Sequence, residues 1–194
     1  MINIKDYHYL YETYMHTIQA SACAESSGAD MARAAKEAGY SGVIITDHGW
    51  YGNNCIASSL PWEQWINDFC KGYEEAKGWG DENDFSAFFG YEASYEGTDF
   101  LIYGVDKEWL IAHPEIKNAY VPEQYRLIHD AGGTVIHAHP CREAEYIKET
   151  RFFPEYVEGA EAVNATHLTP EAPAITMLFM TSVQSNMQRN IICV

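Results

Sequence analysis

The chain alternates short apolar runs, rich in β-branched residues, with stretches whose composition favours helix. The apolar runs predict strands at residues 9–17, 41–48, 85–92, 99–105, 134–140 and 159–167. Stretches of helix-forming residues bounded by proline or glycine predict helices at residues 28–38, 62–76 and 122–130. Strands separated by helices indicate right-handed β-α-β units, so the pattern predicts an α/β fold with a parallel sheet or barrel.

Polar side chains fall where the predicted strands end. The residues that can bind metal or act as acids at these ends are His16, Asp47, His48, Glu92, His137 and His139, with Asn164 in the last predicted strand. The C-terminal ends of parallel strands share one rim, and that rim carries the active site in parallel α/β folds. We therefore expect side chains that are far apart in sequence to converge in space.

The segment around His137 and His139 offers two candidate metal ligands. The two residues are two apart on a predicted strand, so their side chains are expected to point the same way, and Pro140 ends the strand at the rim. Imidazole nitrogens combined with carboxylate oxygens suit zinc, manganese or iron. The alternative is a pair of histidines satisfied by backbone partners.

Three acidic residues at the rim each leave two interpretations open. Asp47 either ligates a metal or holds the ring of His48 from behind, and the alternative is an Asp-His pair that caps a loop. Glu92 ends a buried strand, where a carboxylate needs a partner such as a metal, and the alternative is an ordinary solvated side chain. Asp99 opens the next strand and is either a ligand or a turn residue.

Residues outside the strands are weaker candidates. Arg142 is suited to clamp a phosphoryl group bidentately, and the alternative is a surface salt bridge with Glu143 or Glu145. Cys23 and His167 lie near the expected rim loops, where we interpret both as ordinary loop residues.

Composition narrows the function classes. The net charge of −16 disfavours binding to nucleic acid or to a membrane surface. The five cysteines are scattered and form no C-x-x-C motif, which favours reduced thiols in a cytoplasmic protein. No signal peptide or apolar run of ~20 residues is visible, and 194 residues predict a single domain over residues 1–194. Glycine-rich phosphate loops and the G-x-S-x-G motif are absent from the sequence.

Six segments, in this order along the chain, resemble the PHP (polymerase and histidinol phosphatase) family. They are ETYMHT, YSGVIITDHG, GYEA, DFLIYG, GGTVIHAHPCRE and GAEAVN, and the resemblance covers residues 10–166. It implies a distorted (β/α)7 TIM-like barrel with a cluster of two or three zinc, manganese or iron ions at its rim. By position, it assigns the metal ligands His16, His48, Glu92 and His139, with Glu92 bridging, Asp99 in place of a further histidine, and Arg142 as a phosphate contact.

Two features depart from the family pattern. Tyr14 stands where the family has the first histidine of its H-x-H motif, and a phenol is a poor ligand unless it is ionised. The closing strand, which supplies an Asp and a His, has no counterpart, since Arg189 is the only charged residue from Ala172 onward. We therefore expect either a truncated chain or an incomplete barrel, with residues 167–194 packing over the gap or against a second copy in a homo-oligomer.

These observations favour a metal-dependent phosphoesterase, a hydrolase that cleaves a small phosphate ester with a metal-activated water. The first alternative is a degenerate PHP-like domain that binds metal or a phosphorylated ligand with little or no catalysis. A structural protein without metal is the second alternative. A proofreading nuclease fits poorly with the acidic charge.

Overall fold

The computed structural model describes residues 8–142 and 144–161 of the chain. The strands are β1 (Tyr11–Met15), β2 (Gly42–Ile45), β3 (Ser86–Tyr95), β4 (Thr98–Tyr103), β5 (Thr134–Ala138) and β6 (Gly159–Ala160). The α-helices are α1 (Gly28–Glu37), α2 (Trp62–Phe69), α3 (Lys71–Glu82), α4 (Lys107–Ala112) and α5 (Val121–Asp130). Short 3-10 helices lie at Pro114–Asn118 and Pro154–Tyr156.

The six strands form one curled sheet in sequence order, so the described part of the chain is an α/β fold with an open half-barrel. Strand β4 is antiparallel to both of its neighbours, and the other pairs are parallel. The prediction of a wholly parallel sheet is therefore wrong at β4. Glu96 and Gly97 adopt φ angles of 50° and 88°, which return the chain from β3 directly into β4 without a helix.

Several element boundaries differ from the predicted ones. The predicted helix at 62–76 is two helices, because the chain changes direction at Cys70, which has ψ of −4°. Strand β3 continues three residues beyond Glu92 to complete the hairpin. Helix α4 was not predicted, and Asp106 starts it by accepting a hydrogen bond of 2.8 Å from the Trp109 N–H. Of the predicted strand at 159–167 the structure shows β6, while Asn164 and His167 lie outside the described residues.

Close packing of α1 against α3 supports the segment that follows β1. A Cβ atom added at Gly28 would lie 1.8 Å from the carbonyl oxygen of Gly72, and one added at Gly72 would lie 1.9 Å from Thr17 Oγ1. Only glycine allows the backbones to approach this closely. Helix α3 thereby contacts Thr17, the residue directly after His16.

The main core lies between the sheet and helices α2, α4 and α5. Its large aromatic residues Trp65, Phe69, Tyr91 and Phe100 are buried. Burial of such a side chain contributes roughly 1.5–3 kcal/mol, so the strands that carry the polar rim residues are held in a well-packed layer. Among the described residues, no helix combines the length and the apolar composition that crossing a bilayer requires.

Candidate metal centre

Five of the predicted site residues converge at one rim of the sheet. They are His16 after β1, His48 after β2, Glu92 within β3, Asp99 in β4 and His139 after β5. Backbone pairing holds the centre of this group together, because the Glu92 N–H donates to the Asp47 carbonyl and the Gly49 N–H donates to the Glu92 carbonyl, at 3.0 and 2.8 Å. Asp99 reaches the same rim because β4 is antiparallel, so that the beginning of β4 lies beside the far end of β3.

Glu92 is fully buried and its two carboxylate oxygens face different side chains. Oε2 lies 2.6 Å from His48 Nδ1 and 3.5 Å from His16 Nε2. Oε1 lies 3.4 Å from His139 Nε2, and that nitrogen lies 3.7 Å from Asp99 Oδ2. We call His16 and His48 the first group, and Asp99 and His139 the second group. Glu92 lies between the two groups, where a bridging carboxylate is expected.

Electrostatics keep both kinds of ligand in the form that binds a cation. Burial raises the pKa of Glu92, but contacts with the His139 and His48 rings outweigh burial, so the net pKa lies well below its ordinary value. Burial and the neighbouring His48 lower the pKa of His16 to about 4. At pH 7 His16 is therefore a neutral imidazole with a lone pair available, as metal ligation requires. Burial, followed by the charge of Glu92, raises the pKa of Asp99.

The distances between these atoms fit a metal site better than a set of hydrogen bonds. Two ligand atoms about 2.0–2.1 Å from one tetrahedral ion lie roughly 3.4 Å apart. His16 Nε2 and His139 Nε2 lie 3.5 and 3.4 Å from the nearer Glu92 oxygen, which is longer than an ordinary N–H···O hydrogen bond. The 2.6 Å contact between His48 and Glu92 does not have hydrogen-bond geometry, so the buried Glu92 Oε2 has no hydrogen-bond partner. Such an oxygen is costly unless a cation lies close to it.

Tyr14 contacts the second group from β1. Its hydroxyl donates a short hydrogen bond to Glu92 Oε1, and Tyr14 Oη lies 3.0 Å from His139 Nε2. Burial, followed by the charge of Glu92, raises the pKa of the phenol, which therefore keeps its proton. Since that proton is directed at Glu92, His139 Nε2 must donate for the second contact to be a hydrogen bond. In this arrangement the phenol engages two atoms that a metal in the second group would need.

Asp47 supports the site through hydrogen bonds and uses both of its oxygens to do so. Its Oδ1 accepts from the Thr17 N–H and from Ser21 Oγ, each at 2.6 Å, and its Oδ2 accepts from Thr17 Oγ1 at 2.7 Å. Ser21 Oγ in turn accepts from the His48 N–H at 3.0 Å. Asp47 therefore ties the segment after His16 to the end of the β2 segment, directly before His48. Its effect on His48 passes through Ser21, which bonds to both residues.

His137 lies apart from the two groups, so the prediction that it points the same way as His139 is wrong. Strand β5 ends at Ala138, and His139 has a φ of 28°, which takes it out of the strand alternation. The His137 ring stacks on Phe100 with ring centroids 5.0 Å apart. Burial, with a smaller effect of His139, lowers the pKa of His137 to about 4, as for a neutral histidine in a core.

Arg142 lies at the edge of the second group. Its NH1 is 3.8 Å from Asp99 Oδ2, and its guanidinium donates to the Tyr146 hydroxyl. Together with Thr98, His139 and Arg151 it lines a small cleft that is partly open to solvent. Arg151 is held there by hydrogen bonds to the Tyr95 and Glu96 carbonyls. The cleft therefore has two cations beside the candidate metal ligands.

Cys23 also lies at the site, although its position in the sequence indicates only an ordinary loop residue. Its Sγ lies 3.5 Å from His48 Nε2, and Cys23, His16 and His48 each offer a ligand atom within 4.8 Å of the other two. The available signal was its position in the same loop as His16, seven residues later. That signal is weak, because nothing in the sequence indicates how the loop turns back toward His48.

Comparison with solved structures supports the fold assignment. A two-domain protein from Bacteroides vulgatus that contains a predicted PHP-like metal-dependent phosphoesterase is similar with a TM-score of 0.58 at 13% identity, over 82% of this chain and 46% of that protein. A proposed metal-dependent phosphoesterase from Bifidobacterium adolescentis has a TM-score of 0.45 at 12% identity, over 69% of this chain and 68% of that one. An amidohydrolase from Chromobacterium violaceum, with bound sulfate and no metal, has a TM-score of 0.47 at 12% identity, over 68% and 67%.

No protein-family model and no curated protein sequence matches the chain. At identities of 12–13% the likeness to solved structures concerns the fold alone. The fold of this chain is similar to that of a protein described as containing a predicted PHP-like phosphoesterase, which is compatible with the sequence resemblance. This chain corresponds to about half of the two-domain protein.

Proposed function

We propose that this chain is a metal-dependent phosphoesterase of the PHP type that hydrolyses a small phosphate ester. The observation that carries the proposal is the buried Glu92 carboxylate, whose two oxygens face histidines delivered by three other strands. In this proposal the curled sheet is part of the distorted (β/α)7 barrel of the family. The metals are divalent zinc, manganese or iron, all of which accept nitrogen and carboxylate ligands.

Each residue has a distinct role in the proposed reaction. His16 and His48 in the first group, and His139 and Asp99 in the second, would hold the ions, with Glu92 between them. Bound divalent ions supply Lewis acidity and lower the pKa of a water molecule near the substrate phosphorus.

Arg142 binds the phosphoryl oxygens from the cleft and balances the charge that develops on them. Two properties suit Arg142 to this role. Asp99 lies 3.8 Å from its guanidinium and holds the group at the rim, and partial exposure leaves its N–H donors accessible to a ligand.

The cleft and the charge of the protein favour a small substrate. The enclosed space of this cleft is small compared with the roughly 300–1,000 Å³ of pockets for drug-sized ligands. The net charge of −16 repels a polyanionic nucleic acid. Arg142, Arg151 and the bound metals would give local positive charge sufficient for one phosphate group.

Tyr14 favours a second candidate function, a domain that binds one metal with little catalysis. Its hydroxyl engages Glu92 Oε1 and lies 3.0 Å from His139 Nε2, so the second group is closed to metal while the phenol is in place. The first group is unaffected, because His16 and His48 face the other oxygen of Glu92.

Metal content and turnover distinguish these functions. The full chain is loaded with zinc, manganese or iron, dialysed and analysed by emission spectroscopy, and hydrolysis of an aryl phosphate is measured with added manganese. Glu92→Gln should abolish turnover and lower metal content, whereas Glu63→Gln, an exposed residue on α2, should change neither. Less than one equivalent of metal together with no turnover would refute the phosphoesterase. One equivalent of metal with weak activity that survives Glu92→Gln would support the second candidate.

A further inference from the structure

We propose that the Cys23 thiolate is a metal ligand in the first group, together with His48 and His16. One metal position would then have a mixed nitrogen and sulfur ligand set, which favours zinc, or iron or cobalt, over manganese and magnesium. The inference rests on the proposed function, because it specifies the ligands and the metal preference of the same site.

The separation between Cys23 and His48 matches two ligands of one ion. Zinc–sulfur and zinc–nitrogen distances of about 2.3 and 2.05 Å at a tetrahedral angle place the two atoms roughly 3.5–3.6 Å apart. Cys23 Sγ and His48 Nε2 are 3.5 Å apart, and His16 offers a nitrogen within 4.8 Å of both ligand atoms. The His16 and His48 rings stack with centroids 4.2 Å apart, so both rings reach the same side of the loop.

Glu92 contacts the opposite nitrogen of the His48 ring. The distance of 2.6 Å between His48 Nδ1 and Glu92 Oε2 is too short for two atoms that ligate the same tetrahedral ion, because such atoms lie roughly 3.4 Å apart. Nδ1 therefore faces the carboxylate and Nε2 is left for a metal on the Cys23 side. Glu92 thus contacts the His48 ring on the side away from Cys23.

The backbone on both sides of Cys23 is fixed. The Ala22 N–H donates to the Asn53 carbonyl at 2.9 Å, and the Ala24 N–H donates to the Ser21 carbonyl at 3.2 Å. Ser21 is in turn anchored by Asp47. The loop therefore presents the thiol in a defined position, and ligation needs no rearrangement of the chain.

Cys55 provides a matched control. It is also exposed and lies close to the same loop, but its Sγ faces the Ile18 and Gln19 carbonyls at 3.7 and 3.6 Å. A thiol that faces carbonyl oxygens acts as a donor, and within residues 8–142 and 144–161 the contacts of Cys55 include no imidazole. Cys55→Ser should therefore leave metal binding unchanged.

Cobalt(II) absorption tests the proposal without relying on activity. The full chain is stripped of metal with a chelator and titrated with cobalt(II). The unmodified chain and Cys55→Ser should both show a strong thiolate-to-cobalt charge-transfer band in the near ultraviolet. Cys23→Ser should lose that band while keeping the weak visible bands of histidine-bound cobalt. Its zinc affinity should fall by at least about 10-fold, the low end of what loss of a supporting residue costs a metal site, and its manganese affinity should fall less.

Other outcomes would overturn the proposal. Bound cobalt without a charge-transfer band in the unmodified chain, or a band that survives Cys23→Ser, would mean that the 3.5 Å contact is only a thiol–imidazole hydrogen bond. In that case the phosphoesterase proposal still stands, because it needs the histidines and Glu92. If the chain binds no cobalt, zinc or manganese, both proposals fail.

Discussion

Replacing Asp47 with alanine is expected to lower the free energy of unfolding by about 3 kcal/mol, although Asp47 contacts none of the candidate ligand side chains directly. The substitution removes three hydrogen bonds of 2.6–2.7 Å that a buried carboxylate accepts from Thr17 and Ser21. It also leaves the Thr17 N–H and two hydroxyl groups without their acceptor in a region where Thr17 and Ser21 are at most 1% exposed.

The magnitude follows from two opposing terms. Hydrogen bonds to a charged group contribute roughly 1.5–3 kcal/mol each, so three of them could be worth about 5–9 kcal/mol. Burial raises the pKa of Asp47 despite these bonds, so the cost of desolvating the charge offsets part of what the bonds contribute. Removing the charge recovers that cost, so the net loss should be nearer 3 kcal/mol. Asp47→Asn should lose less, about 1–2 kcal/mol, because an amide oxygen still accepts from the Thr17 N–H.

The assay is urea unfolding followed by tryptophan fluorescence, with chelator present so that metal binding does not contribute. The control is Asp81→Ala on α3, an exposed residue that pairs with Lys77 at the surface and should change stability by less than about 0.5 kcal/mol. A loss below 1 kcal/mol for Asp47→Ala, or one equal to the control, would refute the reasoning. Without chelator, Asp47→Ala should also bind zinc more weakly, because Asp47 fixes the chain beside His16 and His48.

Three further predictions follow from single residues. Tyr14→His should raise the number of bound metal ions from about one to about two by emission spectroscopy, because it frees Glu92 Oε1 and His139 Nε2; one ion in both proteins would contradict it. With metal removed, stability should fall as the pH drops from 6.5 toward 4, because the unfolded chain protonates a histidine that the fold keeps neutral. His137→Phe, which keeps the stacking on Phe100, should remove about 3 kcal/mol of that fall in urea titrations. Gly72→Ala should lower the melting temperature through a clash with Thr17, whereas Gly78→Ala, with open space at its Cβ, should raise it.

The sequence predicted most of the fold because its strands are short, apolar and well bounded. Helices α1 and α5 lie within one residue of the predicted positions, and the parallel strand β2 lies inside its predicted range, since β-branched runs and capping residues act locally. The direction of β4 could not be obtained in the same way. It depends on whether Glu96 and Gly97 form a tight turn or begin a longer connection, and a two-residue signal does not decide that.

For the candidate site, the sequence could predict which residues reach the rim but not how they face one another. His16, His48, Glu92 and His139 follow from strand ends alone. The orientation of His137 and the contact of Cys23 with His48 do not follow from the strand pattern. His137 was judged from strand alternation, which fails because His139 has a positive φ. Cys23 lies in a loop whose path is set by hydrogen bonds to Asn53 and Asp47, both distant in sequence.

The antiparallel direction of β4 decides what the second group contains. In a wholly parallel sheet, Asp99 at the start of its strand would lie at the opposite rim, about 15–20 Å away for a strand of six residues. The hairpin brings it instead to 3.7 Å from His139 Nε2, beside Glu92. The same reversal places Asp99 opposite Ser94 and Ala138, so Arg142, four residues beyond Ala138, can reach it. The direction of β4, which the hydrophobic pattern did not show, is therefore what gives the second group a carboxylate and brings Arg142 within reach of it.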